Sequence, residues 1–235
     1  MSAPLALVTG ATGQDGAYLC RALLDDGWRV CGTRRTGGDD ALWRLRELDI
    51  AAHPRLALCE PDLADARACA DLVASLMPAQ VFHLAAVSSV AAAFAEPLAA
   101  FALGGTASVN LLDAVRRHAP AARFVYASSA ELFDAARVDA RVDEMVTPRA
   151  RHPYALAKLA GHAAVQAYRA SYGLHASAAI LFNHESPLRG AAFVTRKIAA
   201  AAARVARGAG DVLALGNIEA RRDFGYAPDY VAAMR

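Results

Sequence analysis

No stretch of this 235-residue chain approaches the ~18 uninterrupted apolar residues of a membrane span, and its N-terminus lacks a charged segment followed by a long apolar core. The expectation is a cytoplasmic chain with no membrane partner. Cysteine is scarce and unpatterned. Cys20, Cys31, Cys59 and Cys69 show no C-x-x-C spacing and sit in apolar or helical contexts, so neither a disulfide nor a metal site is expected. Net charge is slight as well: at +2, with scattered arginines, the chain offers neither a nucleic-acid groove nor a polybasic membrane patch, and an anionic partner should be small. No internal repeat is visible, and the alanine-rich stretches 91–107 and 199–206 are interleaved with larger apolar residues.

What is present is a foldable balance, 56% hydrophobic and 20% charged, enough for a sizeable core. Short apolar runs at 5–9, 29–33, 56–59, 81–86, 124–128 and 177–182 read as strands. Between them lie helical patterns at 17–26 (stopped by Gly27), 66–76 (ended by Pro78), 107–118 (a stripe of Val109, Leu112 and Val115) and 154–172 (closed by Gly173). Strand and helix alternate, which predicts right-handed crossovers and an α/β, doubly wound parallel sheet of the Rossmann type.

Three features along this pattern carry chemistry. The first turn, Thr9-Gly10-Ala11-Thr12-Gly13-Gln14-Asp15-Gly16, spaces glycines at 10, 13 and 16 between a strand and a helix. Backbone without Cβ atoms can approach a pyrophosphate there, and the free N–H groups of the helix N-terminus attract its oxygens. About twenty residues on, where an NAD enzyme would carry a ribose-binding acid, stand Arg34 and Arg35. Paired guanidinium hydrogen bonds suit a 2′-phosphate, which points to NADP; a pair of solvated loop charges is the plainer alternative. Tyr154 and Lys158 lie at i and i+4 on one helix. An ammonium beside a phenol would lower the tyrosine's pKa toward that of a general base.

Taken together, these residues resemble the extended short-chain dehydrogenases, and among them the GDP-mannose 4,6-dehydratases. The resemblance runs from Val8-Thr9-Gly10 and Gly13-Gln14-Asp15-Gly16 through Asp62-Leu63, His83-Leu84-Ala85-Ala86, Ala127-Ser128-Ser129-Ala130-Glu131-Leu132 and Pro153-Tyr154 to Lys158. Its most specific part comes later: Asn183-His184-Glu185-Ser186-Pro187-Leu188-Arg189-Gly190, Phe193-Val194-Thr195-Arg196-Lys197-Ile198, Leu215-Gly216-Asn217 and Arg222-Asp223-Phe224-Gly225.

The resemblance implies dehydration of GDP-mannose by an internal hydride transfer through bound NADP. Tyr154 would take the C4 hydroxyl proton, Lys158 would assist it and hold the nicotinamide ribose, Glu131 would remove the acidified C5 proton, and Ser129 would supply a hydroxyl near C6. It also implies Asp62 and Leu63 near adenine, Leu84, Ala85 and Ala86 beneath the cofactor, and His184 and Arg189 at its nicotinamide end. Asn183, Lys197, Asn217 and Arg222 would contact the sugar nucleotide. Homo-oligomers are expected by the same resemblance.

The pattern also departs from that family. Val87-Ser88-Ser89 replaces a Gln-Ser-His run, Ala99 stands where a tyrosine is usual, and 134–150 is rich in arginine and aspartate. The chain stops at 229–235, where similar sequences continue, so the expected division is a Rossmann domain over 1–186 and a partial, interleaved substrate lobe over 187–235. Two alternatives stay open: another sugar-nucleotide reductase or epimerase, and an NADP-binding protein with little or no catalysis.

Overall fold

Alternate residues of Leu5–Thr9 (β1) enter opposite cores. Leu7 joins a cluster with Leu111, Leu112, Val115, Phe124, Tyr126 and Val165, while Ala6 and Val8 join Leu19, Leu23, Val30, Phe82 and Val231. A strand buried on both faces needs helices on both sides, which parallel crossovers supply. The computed structural model describes residues 3–35, 39–133, 142–208, 210 and 212–235. Part of the divergent segment 134–150, residues 134–141, therefore lies outside the described residues.

After β1 come helix α1 (Gln14–Asp25), β2 (Arg29–Thr33), the short α2 (Trp43–Glu47), β3 (Leu56–Cys59), α3 (Ala66–Leu76) and β4 (Gln80–His83). A helical run follows: α4 (Val90–Ala95), α5 (Pro97–Phe101), a π-helical turn (Ala102–Thr106) and α6 (Ala107–His118). Then β5 (Arg123–Ala127) leads to a 3-10 turn (Ala130–Leu132), α7 (Pro153–Tyr172) and β6 (Ala176–Ala179). The C-terminal part contains β7 (Asn183–Glu185), α8 (Val194–Val205), β8 (Phe224–Tyr226) and α9 (Ala227–Met234).

Among the described residues the main sheet has the order β3-β2-β1-β4-β5-β6, all parallel. The order reverses between β1 and β4, and that switch opens a crevice at the carboxyl ends of the two strands. The glycine turn after Thr9 and the Leu84–Ala86 segment face each other there. The expected α/β doubly wound sheet is the observed one.

Three differences from the expected elements have local causes. Residues 90–106 form helices although no helical stripe announces them, because alanine gives little contrast between faces. The last expected strand, 177–182, ends at Ala179; residues 183–185 pair instead with 224–226 in a separate parallel ribbon. The run 97–118 has the length and composition of a membrane-crossing helix, with half of that window buried inside the protein, as a core helix lying on a sheet would be.

The C-terminal part returns to the first unit. Val231 and Met234 of α9 pack with Leu19, Leu23 and Leu24 of α1. Close helix-to-sheet contact also sets the height of α7. A Cβ on Gly161 would lie 2.4 Å from the Tyr126 ring, and one on Gly104 would lie 2.9 Å from Ala157 Cβ. These two glycines let α7 sit deep enough to bring Tyr154 and Lys158 to the crevice.

Candidate active site

The glycine turn is shaped by close backbone approach. Gly10 has φ +73°, and a Cβ there would meet Ala85 N at 3.0 Å. The Gly13 N–H donates to Gly10 O at 2.9 Å, and the Ala11 N–H to Thr33 O at 2.9 Å. Gly13 is exposed and caps α1 without a side-chain hydrogen bond, leaving first-turn N–H groups open to an anion. Thr12 offers its carbonyl to Arg44 Nη1 at 3.1 Å, which braces the turn from outside.

Across the switch, Thr9 Oγ1 accepts from the N–H groups of Leu84 and Ala85, each at 3.1 Å, and lies 2.8 Å from His83 Nδ1. Burial, aided by the charge of Lys158, pushes His83 down to about 3, so the imidazole is neutral and its Nδ1 can accept the threonine proton. Neither Thr9 nor His83 was among the candidate residues, yet they fix the Leu84–Ala86 backbone. Leu63 is buried, and its carbonyl accepts from Asn110 Nδ2 at 3.1 Å; Asp62 is exposed and accepts from the Ala64 N–H at 2.9 Å.

At the end of β2, Arg34 Nη2 pairs with Glu60 Oε1 at 2.8 Å, and Arg35 is exposed. Glu60 is an addition of the structure: it follows β3 directly, and parallel pairing of β2 with β3 carries it to the arginine.

The hydroxyl and carboxylate candidates converge. Ser129 lies near enough to Tyr154 to influence its hydroxyl, and Ser129 Oγ accepts from the Glu131 N–H at 3.2 Å. Burial pushes the Tyr154 hydroxyl above its ordinary value; the Ser129 hydroxyl pulls it down, and the Glu131 carboxylate pushes it up again. Lys158 is buried and donates from Nζ to Ala127 O at 2.7 Å, with burial lowering it to about 8. The expected depression of Tyr154 by Lys158 is therefore not the arrangement here. The i, i+4 spacing holds, but the lysine stem runs inward to the end of β5, and its ammonium sits 5.3 Å from the Tyr126 ring centroid.

His152, one residue before α7, was also missed. Its Nδ1 accepts from the Ala155 N–H at 3.2 Å, and its Nε2 lies 3.3 Å from Glu131 Oε2. The available signal was Pro153: proline is favoured in the first helical turn, which makes the preceding residue the cap.

His184 and Asp15 form an ion pair, Nε2 to Oδ2 at 2.9 Å, away from good hydrogen-bond alignment. His184 Nδ1 lies 2.6 Å from Phe182 O, and the ring stacks on Tyr230 at 4.5 Å. Both ring nitrogens thus face protein oxygens, an arrangement that favours the protonated ring. Burial opposes its charge, but Asp15 outweighs burial and raises His184; burial likewise opposes the Asp15 charge, and His184 outweighs it and lowers Asp15. Gln14 extends the network, donating to His184 O at 3.1 Å and accepting from Ser186 Oγ at 2.9 Å. Arg189 Nε meets Glu185 Oε2 at 3.1 Å, with its guanidinium over Phe193.

This pair yields a pH prediction. The contribution of His184 is complete below its ordinary 6.5 and is lost as pH rises through its raised folded value; that of Asp15 is complete above 3.8 and is lost as pH falls through its lowered value. His184→Gln should cost about 1–3 kcal/mol in the window where both are charged. In thermal denaturation across a pH series, the gap to wild type should shrink on the alkaline side. A constant gap would remove the ion pair as its source.

The expected sugar-nucleotide contacts are less gathered. Asn183 begins β7, Lys197 is exposed on α8, Asn217 accepts from the Glu219 N–H at 2.9 Å to close a local turn, and Arg222 donates to Arg221 O at 2.7 Å. Among the described residues, no hydrogen bond joins Lys197, Asn217 or Arg222 to the Ser129–Tyr154 cluster.

A six-stranded parallel sheet with its switch at a glycine turn, beside a Ser–Tyr–Lys set, defines a short-chain dehydrogenase-type fold. In keeping with it, the chain superimposes on UDP-glucose 4-epimerase from Thermus thermophilus, solved with NAD, at a TM-score of 0.80 and 26% identity, covering 97% of this chain and 72% of that one. Within that class the chain belongs to the GDP-mannose 4,6 dehydratase family, whose model matches residues 7–235. It is 40% identical to GDP-mannose 4,6-dehydratase of Sinorhizobium fredii and 40% identical to GDP-mannose 4,6 dehydratase 1 of Arabidopsis thaliana, over 98% of this chain in each case. The chain spans 67% and 65% of the lengths of these two relatives.

Proposed function

We propose that this chain converts GDP-mannose to GDP-4-keto-6-deoxymannose and water, using bound NADP. The observation that carries the reading is the meeting of Ser129, Tyr154 and Glu131: a hydroxyl close enough to a phenol to lower its pKa, with a carboxylate close enough to raise it. Identity to dehydratases of that substrate name supplies the sugar nucleotide.

The residues present fit a dinucleotide. Gly10 and Gly16 let the turn and the start of α1 close tightly against Ala85 and against the turn's own backbone, and the open N-terminus of α1 that results suits a pyrophosphate. Gly10 to Gly16 would hold the pyrophosphate, Asp62 and Leu63 the adenine end, Arg34 and Arg35 the 2′-phosphate, Leu84 to Ala86 the ribose, and Lys158 with the His184–Arg189 segment the nicotinamide end. Bound NADP would supply reversible storage of the hydride removed at C4 and returned at C6, so the net change is loss of water.

The chain's own residues then move protons. Tyr154 accepts the C4 hydroxyl proton, with the Ser129 hydroxyl close by. Glu131 takes the C5 proton once the neighbouring C4 is a ketone and passes it to the C6 hydroxyl, which departs as water; the proton held by Tyr154 returns to C5 as C6 is reduced. Residues 187–235 serve as the partial substrate lobe, with Lys197, Asn217 and Arg222, joined by Asn183 from the first domain, as contacts to the diphosphate and sugar. We place the protein in the cytoplasm as a homo-oligomer; exposed Leu98, Phe101 and Leu156 provide an apolar face for association.

The test is product mass and stoichiometry. GDP-mannose should lose one water with no consumption of added NADPH, whereas stoichiometric NADPH loss would indicate a reductase. Cofactor choice is tested at Arg34. Arg34→Asp should weaken NADP binding about tenfold or more, the value of a charge-assisted pair, and improve NAD relative to it. Unchanged preference in a fluorescence titration would reject the 2′-phosphate assignment.

A further inference from the structure

We propose that His152 is a positioning residue for Glu131, a neutral imidazole that caps α7 with one nitrogen and orients the carboxylate with the other. The inference rests on the reading of Glu131 as the group that takes the C5 proton.

The tautomer follows from the partners. His152 has extended backbone (φ −152°, ψ 164°) at the N-cap of α7, and its Nδ1 faces the Ala155 N–H at 3.2 Å. That N–H can only donate, so Nδ1 must present a lone pair. The ring proton then resides on Nε2, which is 3.3 Å from Glu131 Oε2 and donates to it. A protonated ring would turn Nδ1 into a donor facing a donor and break the cap, so the cap itself selects the neutral Nε2–H form.

Packing fixes the ring plane. His152 stacks on Tyr154, with centroids 6.2 Å apart and planes 21° apart, and Phe94 flanks it at 6.1 Å. The side chains of His152 and Glu131 are 18% and 33% exposed, so the contact is shielded but not sealed. One carboxylate oxygen is thereby tied and the other left to work. Among the described residues no other side-chain hydrogen bond holds Glu131, which sits in a single 3-10 turn whose N–H is capped by Ser129. A Glu side chain on so short a turn has three free torsions, and a hydrogen bond from a helix cap removes much of that freedom.

Capping and orienting can be separated by substitution. Serine at 152 keeps an N-cap oxygen but cannot reach Glu131, glutamine can reach with an amide N–H but caps poorly, and alanine does neither. In the full chain, His152→Ser should keep a near-native melting temperature and NADP affinity. Exchange of the C5 hydrogen with deuterated solvent should fall about tenfold to a hundredfold, as expected when a reacting group loses its orientation. His152→Gln should regain part of that loss despite a lower melting temperature, which a purely structural role would not allow. Full exchange in His152→Ser would overturn the proposal.

Two further measurements separate this inference from the one beneath it. Glu131→Gln should abolish exchange; if it does not, the assignment of Glu131 as base fails and the His152 role with it. If Glu131→Gln is inert and His152→Ser is normal, only the His152 role fails. Independently of turnover, nitrogen NMR of the labelled wild-type chain should show the His152 ring as the neutral Nε2–H tautomer, with its Nε2 resonance shifted in Glu131→Gln. An imidazolium or an Nδ1–H tautomer would overturn the proposal.

Discussion

Tyr154→Phe is expected to lower turnover of GDP-mannose by about 10²–10⁴-fold while leaving NADP affinity within about twofold of wild type. The change removes one oxygen and keeps the ring, so the stacking on His152 and the seat of α7 persist. Ser129 keeps its hydrogen bond, its Oγ still accepting from the Glu131 N–H. What disappears is the oxygen proposed to take the C4 hydroxyl proton. Because burial and the Glu131 carboxylate hold that phenol above its ordinary value, wild-type turnover should also climb with pH as the phenolate becomes accessible. Initial rates with GDP-mannose across a pH series, set beside a cofactor titration of the same variant, check both statements. Near-wild-type rates in Tyr154→Phe would take this tyrosine out of the reaction.

The sheet was legible because its signal is local and redundant. Runs such as 5–9 and 29–33 are apolar at almost every position, as a strand covered on both faces requires, and glycines or prolines bound the intervening helices. The glycine turn was legible for a related reason: it occurs once, at the first strand-to-helix junction, and the switch point of the sheet falls at the same place. Ser129 and Glu131 were legible only through resemblance, while Tyr154 and Lys158 were legible as an i, i+4 pair to which the resemblance gave a role. Nothing in their spacing required a residue of the 3-10 turn after β5 to meet one at the start of α7, since 134–152 intervenes.

What stayed hidden depends on direction rather than on presence. The spacing of Tyr154 and Lys158 places both on one helix face, but whether the ammonium turns to the phenol or to Ala127 O is decided by the depth at which α7 meets β5. That depth depends on Gly161 and Gly104, two glycines with no motif around them. Glu60 and His83 were hidden because their partners, Arg34 and Thr9, come from neighbouring parallel strands, and parallel pairing joins residues far apart in the chain. The network of Asp15, His184 and Gln14 joins the two ends of the chain for the same reason: a ligand-binding turn is braced by a segment that arrives only after the whole sheet is built.

Gly16→Ala should have a comparably large effect, on the fold and on the nucleotide together. A Cβ at Gly16 would lie 2.2 Å from Gly10 O, 2.8 Å from Ala11 Cα and 2.9 Å from Gly10 C, all of them backbone atoms. A flexible side chain could swing away from such a contact; backbone cannot, so either α1 must retreat from β1 or the turn must open. Retreat is blocked by Ala17, Leu19 and Cys20, each fully buried against the sheet. Opening the turn would break the Gly13 N–H to Gly10 O hydrogen bond that shapes the anion-facing N-terminus of α1. Overpacking of this kind costs about 3 kcal/mol. In a chain of this size that corresponds to a melting temperature lower by roughly 6–12 °C. Displaced N–H groups should weaken dinucleotide binding about a hundredfold, since charge-assisted hydrogen bonds to a pyrophosphate depend on both distance and direction. The contrast with Gly13→Ala is diagnostic, because a Cβ there has a single neighbour, Gly10 O, at 3.2 Å and should lower the melting temperature much less. Thermal denaturation with and without NADP separates the two effects: Gly16→Ala should melt early and gain little from the nucleotide. A Gly16→Ala protein that melts and binds like wild type would mean that the turn does not hold the dinucleotide in the way its backbone implies.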